Sequence, residues 1–352
     1  MIRDLNEDMP SITPQAEHHC RVALVPSMGL GDGCIYLVLA ESLARSGYAV
    51  TVYSNHLGSL NDWFSAFETK YLPKPEETFS SLAGHDLVIS DLGSMLTRHA
   101  VDAEQLGRRF VFVATCKVDP RFVHQAASET LAKLSPEKFA ALAPLAAAAG
   151  SLRCIADDRI SMVEQALSFC RTRFGLAHAV SEISLAPPEH LQFRRFAKRI
   201  MIHPLSFNTK KNWPAAYYLR LAHRLRRHGF DPQFVLSPKE REQHEAVFCG
   251  EFSVPHCADA GELAAYLYES GYVIGNDSGV GHLASLLGIP VLTLYRKRRD
   301  GFCWRPGWGT CEVVRPVISP GLAREHWSLF LSVSRVERAF NRLYERFEGS
   351  IL

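Results

Sequence analysis

The sequence predicts an α/β protein of two doubly wound domains in tandem, facing each other across a cleft. Short apolar runs alternate with longer helical stretches over most of the chain. The alternation restarts after a proline-containing, basic stretch between about 180 and 198. The same helix stop recurs in both halves, as Arg45-Ser46-Gly47-Tyr48 and Arg227-His228-Gly229-Phe230. At 352 residues the chain also exceeds the usual size of one hydrophobic core.

Residues 1–19 carry Asp4, Glu7, Asp8, Pro10 and Pro14 without a continuous apolar core, so they read as a flexible tail and not as a signal peptide. A strand is expected at 21–25, a helix at 35–46 and a second strand at 49–53. Both strands hardly alternate, as expected where both faces of a parallel sheet are covered. Residues 86–90 and 109–114 read as further strands and 131–171 as mostly helical, which closes a first domain at 20–185. The second domain, 199–322, repeats the pattern: strands at 199–202, 234–236, 272–274 and 290–295, helices at 215–228, 260–269 and 282–287. Residues 323–352 supply closing helices.

Net charge is only +2, so no global field points to nucleic acid. Basic residues cluster locally at 194–199, 224–228 and 296–299, either as solvated faces or as attractors of phosphate or an anionic membrane surface. Nine cysteines, with no C-x-x-C, make neither a disulfide framework nor a zinc pattern, and a reducing cytoplasm fits them. No stretch approaches the roughly 20 apolar residues of a membrane-spanning helix, the nearest being Phe139 to Ala149.

The first strand ends in Pro26-Ser27-Met28-Gly29-Leu30-Gly31-Asp32-Gly33-Cys34. As a dinucleotide fingerprint it fails, because Cys34 takes the third glycine position and the strand to Asn55 ends without an acidic residue. Glycines 29, 31 and 33 still bring backbone close to something, since three glycines in five residues cost conformational entropy unless the turn demands them. Asp32 either caps the next helix or is a carboxylate aimed into the cleft to accept a proton from a substrate hydroxyl.

The second half is more specific. A strand ends at Gly275-Asn276, and Asp277-Ser278-Gly279-Val280-Gly281-His282 opens a helix whose free amides suit a phosphate. Leu287-Gly288-Ile289-Pro290 and Trp304-Arg305-Pro306 follow. Asp-Ser-Gly with a His after it, Leu-Gly-x-Pro and Trp-x-Pro together resemble glycosyltransferase family 9, the ADP-heptose:lipopolysaccharide heptosyltransferases. Lys211 before Trp213-Pro214, the 85–92 segment and the Ser27 to Asp32 turn, which carries two extra residues, resemble the same family. The resemblance covers about residues 20 to 310.

This resemblance implies a GT-B fold of two Rossmann-like domains and an inverting displacement without metal or cofactor. An ADP-sugar, ADP-heptose or a related one, would be held by the second domain and a lipopolysaccharide core acceptor by the first. It makes Asp32 the catalytic base and Lys211, Asp277, Ser278, Gly279, Val280, Gly281 and His282 the donor site. Thr209, Lys210 and Trp304 are further donor candidates, and Asp91 joins the three glycines on the acceptor side. No Asp-x-Asp motif offers a metal holder, so Lys211, the loop amides and the 296–299 cluster are left to neutralise the diphosphate. Asp277 also reads as a cap or brace, His282 as a satisfied first-turn histidine, Trp304 as lid packing and His203 as a structural partner. The location implied is cytoplasmic, with peripheral contact at the inner membrane. Rival readings are the same chemistry on a protein hydroxyl or another surface glycan, and a catalytically silent sugar-nucleotide binding protein.

Overall fold

The computed structural model describes residues 20–91, 103–115, 118, 120–298, 301–318 and 324–350. The expected tail at 1–19, Leu92, Cys116 and Arg299 lie outside the described residues.

The first half forms β1 (Arg21–Val25), α1 (Leu30–Arg45), β2 (Ala49–Ser54), a 3-10 segment at Leu57–Trp63, β3 (Glu68–Tyr71), α2 (Thr78–Leu82) and β4 (Leu87–Ser90). Next come α3 (Ala103–Arg109), β5 (Val111–Ala114), α4 (Pro120–Gln125), α5 (Ser128–Leu131), α6 (Pro136–Ala147), β6 (Gly150–Ser151) and α7 (Met162–Thr172). Its six strands run parallel in the order β3-β2-β1-β4-β5-β6. The second half forms β7 (Phe196–His203), a 3-10 turn at Thr209–Lys211, α8 (Ala215–Arg227), β8 (Asp231–Phe234), α9 (Pro238–Phe248) and α10 (Ala260–Tyr268). It continues with β9 (Ser270–Asn276), α11 (Gly279–Leu286), β10 (Val291–Leu294), β11 (Cys311–Val314), a 3-10 segment at Arg324–Phe330 and α12 (Val333–Glu348). These five strands are also parallel, in the order β11-β10-β9-β7-β8.

Both strand orders reverse at one place, between β1 and β4 and between β7 and β9. In open α/β sheets the crevice at the carboxyl ends of such a pair is where ligands bind. The two switch points therefore place the residues after β1, β4, β7 and β9 together before any side chain is considered.

Several elements depart from expectation. Helix α1 begins at Leu30, five residues early, so Gly31, Asp32 and Gly33 form its first turn rather than a loop. Every residue from Gly33 to Leu43 is buried, because α1 packs on β2, α7 and α11 at once. Tertiary burial here overrides the poor helix propensity of two glycines. The buried Glu41 carboxylate is satisfied by Arg45 and by the amide and hydroxyl of Ser184. Helix α11 likewise starts at Gly279, three residues early. Strand β8 pairs with β7 at Asp231 to Phe234 rather than at 234–236. The short edge strands β3, β6 and β11, and helix α9, add to the elements expected from the pattern.

Two of the basic clusters hold the closing helix. Arg194 lies 4.3 Å over the Phe347 ring and 3.0 Å from Glu348, and Arg224 pairs with Glu337 at 2.9 Å. Lys198 sits 4.8 Å over Tyr344. Helix α12 buries Val336, Ala339, Phe340 and Leu343 beneath these contacts. Among the described residues no helix is long and apolar enough to cross a membrane.

Gly271 in β9 faces a register shift in β7 between Phe196 and Ile200, and a Cβ there would overlap the Ala197 carbonyl. Backbone cannot yield as a side-chain tip can, so Gly271→Ala should lose about 1–3 kcal/mol. Thermal unfolding reads this directly. An unchanged Tm would mean that the two strands separate freely at that point.

Candidate active site

The site is built from four strand ends. Behind β1, Gly29 is the N-cap of α1 and Asp32 lies in its first turn. The Asp32 carboxylate folds back over Gly29, where a Cβ would stand 2.7 Å from its Oδ2. Asp32 is thus neither the N-cap nor bonded as one, and its side chain hangs over the open end of the helix. Asp91, directly after β4, is 6% exposed. Burial raises the Asp32 carboxyl to about 6, and the neighbouring charge of Asp91 adds to the rise. The backbone amide of Asp32 itself and the Lys211 ammonium, which belongs to the other half of the chain, act the opposite way.

Lys211 closes the turn after β7. Its Nζ lies 2.7 Å from Oδ2 of Asp277, the residue after β9. Asp277 therefore braces the lysine rather than capping α11. The loop carrying Lys211 is pinned to the same strand end by the buried Asn276. Its Oδ1 accepts from the Trp213 amide at 3.2 Å and the Tyr218 hydroxyl at 2.9 Å, and its Nδ2 donates to the Pro204 carbonyl. Thr209 and Lys210 stand exposed on the turn, and the Lys210 carbonyl accepts from Trp327 Nε1 at 3.1 Å.

Ser278 is the N-cap of α11, and Gly279, Val280, Gly281 and His282 form its first turn, where backbone amides lack intrahelical acceptors. The Val280 side chain is buried, and the Cβ direction of Gly281 points at Pro306 and Val291, so this turn offers only backbone to the cleft. His282 is 3% exposed and packs edge-on against Trp304, with centroids 6.0 Å apart. Burial lowers its pKa to about 4, against the pull of Asp277, so the ring is neutral at pH 7. Its Nδ1 is buried without a hydrogen-bond partner.

The two helix ends touch. A Cβ on Gly31 would stand 3.1 Å from His282 Cδ2, and one on Gly279 would stand 2.9 Å from the Gly31 amide nitrogen. The space beside Gly31 is thus filled by α11, and that beside Gly33 by Leu57 and Ser54 of its own half. Elsewhere the halves are joined by the Gly261 amide on Ser59 Oγ, by Trp308 Nε1 on the Ser181 carbonyl, and by Arg305 on the Arg159 carbonyl.

The sequence points to Asp32, Asp91, Lys211 and Asp277 to His282, and all of them meet at these strand ends. It does not single out Asn276 or Glu240. The second carries a legible signal, since Ser237-Pro238-Lys239-Glu240 is a capping-box pattern that starts α9.

Comparison with known proteins bears on this arrangement. A family model described as glycosyltransferase family 9 (heptosyltransferase) matches residues 122–312. The chain belongs to this family. The matched stretch contains Lys211 and Asp277 to His282, while Asp32 and Asp91 precede it. A curated relative, lipopolysaccharide heptosyltransferase 1 of Pseudomonas aeruginosa PAO1, is 31% identical over 107 residues, spanning 29% of this chain and 30% of the relative. Among solved structures, a family 9 glycosyl transferase of Veillonella parvula superposes with a TM-score of 0.61 at 16% identity, covering 92% of this chain and 97% of that one. The E. coli heptosyltransferase WaaC with ADP superposes with a TM-score of 0.62 at 17% identity, covering 92% and 99%. The fold is GT-B.

Ionising Asp32 in place costs stability. Below its unfolded value the carboxyl is protonated in both states, and as pH rises through about 6 the folded protein loses up to about 3 kcal/mol relative to low pH. Asp32→Asn should therefore raise Tm at pH 7.5, with the gain shrinking towards pH 4. A variant equally or less stable at pH 7.5 would mean that the carboxylate is not under strain.

Proposed function

We propose that this protein is an inverting glycosyltransferase that moves a heptose, or a related sugar, from an ADP-sugar onto a lipopolysaccharide core acceptor, without metal or cofactor. The observation that carries the reading is the meeting of a half-buried, pKa-raised carboxylate from one half with the Lys211–Asp277 pair and the α11 amides from the other. A base opposite an anion site is the arrangement that displacement of a diphosphate requires. Membership of the family and the name of the curated relative support the sugar and the acceptor. The likeness to WaaC, whose solved structure pairs that protein with ADP, supports the donor.

In this reading the diphosphate rests on the first-turn amides of α11 and on Lys211, where the helix dipole and a full positive charge stabilise the leaving group. The acceptor hydroxyl approaches from the Asp32 side. Its oxygen bonds to the anomeric carbon as the bond from that carbon to the diphosphate oxygen breaks. The hydroxyl proton passes to Asp32, and the configuration at the carbon inverts. Burial prepares Asp32 for this, since a carboxylate with a pKa near 6 holds a proton better than an exposed one and is still ionised at pH 7. Asp277 holds Lys211 in place, so the cation does not have to be ordered on arrival of the donor. A lipid-borne acceptor places the enzyme at the cytoplasmic face of the inner membrane as a peripheral protein.

Asp32→Ala should abolish transfer while leaving ADP affinity within a few-fold of wild type. Retained turnover would remove the base. Lys211→Ala should weaken ADP binding by about 10- to 150-fold, the worth of roughly 1.5–3 kcal/mol for a hydrogen bond to a charged group. An unaltered dissociation constant would remove the phosphate role. Because Asp32 must be ionised to accept a proton, kcat/KM should rise with pH through about 6 and then level. A profile flat between pH 5 and 7.5 would count against that assignment.

A further inference from the structure

Ser278 occupies the N-cap position of α11, yet its hydroxyl does not cap the helix. The serines at the same position of α6, α7 and α9 all do so, accepting from the amides of Lys138, Glu164 and Glu240. Ser278 Oγ lies instead 2.9 Å from Nδ1 of His203, the last residue of β7. On the far side of that ring, Nε2 lies 3.3 Å from Oε2 of Glu240. His203 is 6% exposed, so these two contacts are its hydrogen bonds rather than water.

Glu240 cannot turn away. The same Oε2 accepts from the amide and the hydroxyl of Ser237, each at 2.8 Å, in the capping box that starts α9. Burial alone would raise its pKa, but the bonds from His203 and Ser237 outweigh burial and hold it at about 2. A fixed carboxylate on Nε2 sets the tautomer, because Nε2 must carry the proton that bridges to it. In the neutral ring Nδ1 is then an acceptor, and the Ser278 hydroxyl must donate to it. That leaves oxygen lone pairs, not a proton, on the side of Ser278 away from His203. This polarity repels a phosphate oxygen. One proton added at Nδ1 reverses it: Nδ1–H donates to Ser278 Oγ, and the hydroxyl proton is free to turn to an anion.

We propose that Glu240 and His203 form a proton-gated relay that turns the Ser278 hydroxyl towards the donor diphosphate, so that binding a nucleoside diphosphate draws one proton from solvent onto His203. The inference rests on the donor site described above. His203 and Glu240 are positioning residues here, since neither touches the ligand. The gain is twofold: the serine becomes a donor, and the positive charge that appears behind it as the anion binds is shared between that anion and the Glu240 carboxylate on the far side of the ring.

Other charges near His203 do not substitute for the relay. On the loop before α11, Asp277 is already paired with Lys211. On α9, Arg241 is engaged by Glu245 and by the Val254 and Pro255 carbonyls. Strand β9 offers only Gly275 and Asn276 beside it.

The test is calorimetric titration of the full chain with ADP in two buffers of different ionisation enthalpy, repeated between pH 6.5 and 8. The buffer dependence of the enthalpy counts protons taken up. Comparison with variants removes the contribution of the ADP phosphate itself. Wild type should take up about one proton more per ADP than His203→Gln, which can bond but not titrate, and only wild type should bind more tightly as pH falls. Glu240→Gln, which keeps the capping contact, should shift the uptake to lower pH. Ser278→Ala should bind ADP about tenfold more weakly at pH 6.5. Equal proton uptake in wild type and His203→Gln, both folded by circular dichroism, would overturn the relay and leave the donor site standing. Failure of folded wild type to bind ADP at all would overturn the donor site and the relay with it.

Discussion

The arrangement depends on one contact, that of the amino end of α1 with the amino end of α11. Gly31 and Gly279 meet there, with no room for a Cβ on Gly279 and only a tight fit for one on Gly31. The contact decides how the two sheets face each other, because each helix follows directly from a strand beside a switch point. It also explains why glycines stand inside helical turns, where they weaken the helix by up to about 1 kcal/mol each. The loss is offset by packing. Helix α1 is buried along nearly its whole length, and one apolar cluster runs from Leu24 and Ile35 through to Leu283 and Val291.

Bringing two helix amino ends together concentrates positive potential, since each contributes roughly half an elementary charge. A cleft of this kind favours an anion. Lys211 adds a full charge, and Asp277 both neutralises it and holds it. Against this background the state of Asp32 is informative. Two helix ends and a lysine should depress a carboxyl pKa, yet burial and Asp91 raise it to about 6. Desolvation wins because protein, more than water, surrounds the Asp32 carboxylate where the halves meet.

Much of this is legible in the sequence. The alternation of apolar runs and helical stretches identifies both sheets, and the motif after β9 locates the loop that meets Lys211. Less visible are the helix starts. Gly29 to Gly33 reads as a turn because local propensity says so, and only the covering of α1 on all sides makes it helical. The edge strands β3, β6 and β11 are short or polar, as edges commonly are, and leave little periodic signal. The close approach of Gly31 to His282 is invisible for a different reason. The two are about 250 positions apart in the chain, and no local pattern reports a contact between glycines. Three glycines in the opening turn suggest room for a ligand, whereas at Gly31 and Gly33 the room is taken by protein.

Among the described residues five serines stand at helix N-cap positions, and they show how one residue type can serve opposite ends. At Ser135, Ser161, Ser237 and Ser332 the hydroxyl satisfies a first-turn amide and stabilises its helix by about 1 kcal/mol. At Ser278 the hydroxyl is drawn off by His203, so α11 forgoes that stabilisation and keeps its amides open. The helix tolerates this because seven of its eight residues are buried. Tertiary packing, and not its cap, holds it in place. An uncapped helix end in a well-packed element stays open because the rest of the fold sustains it, and here the residue that would have closed it is held aside by a histidine whose other nitrogen faces a half-buried carboxylate.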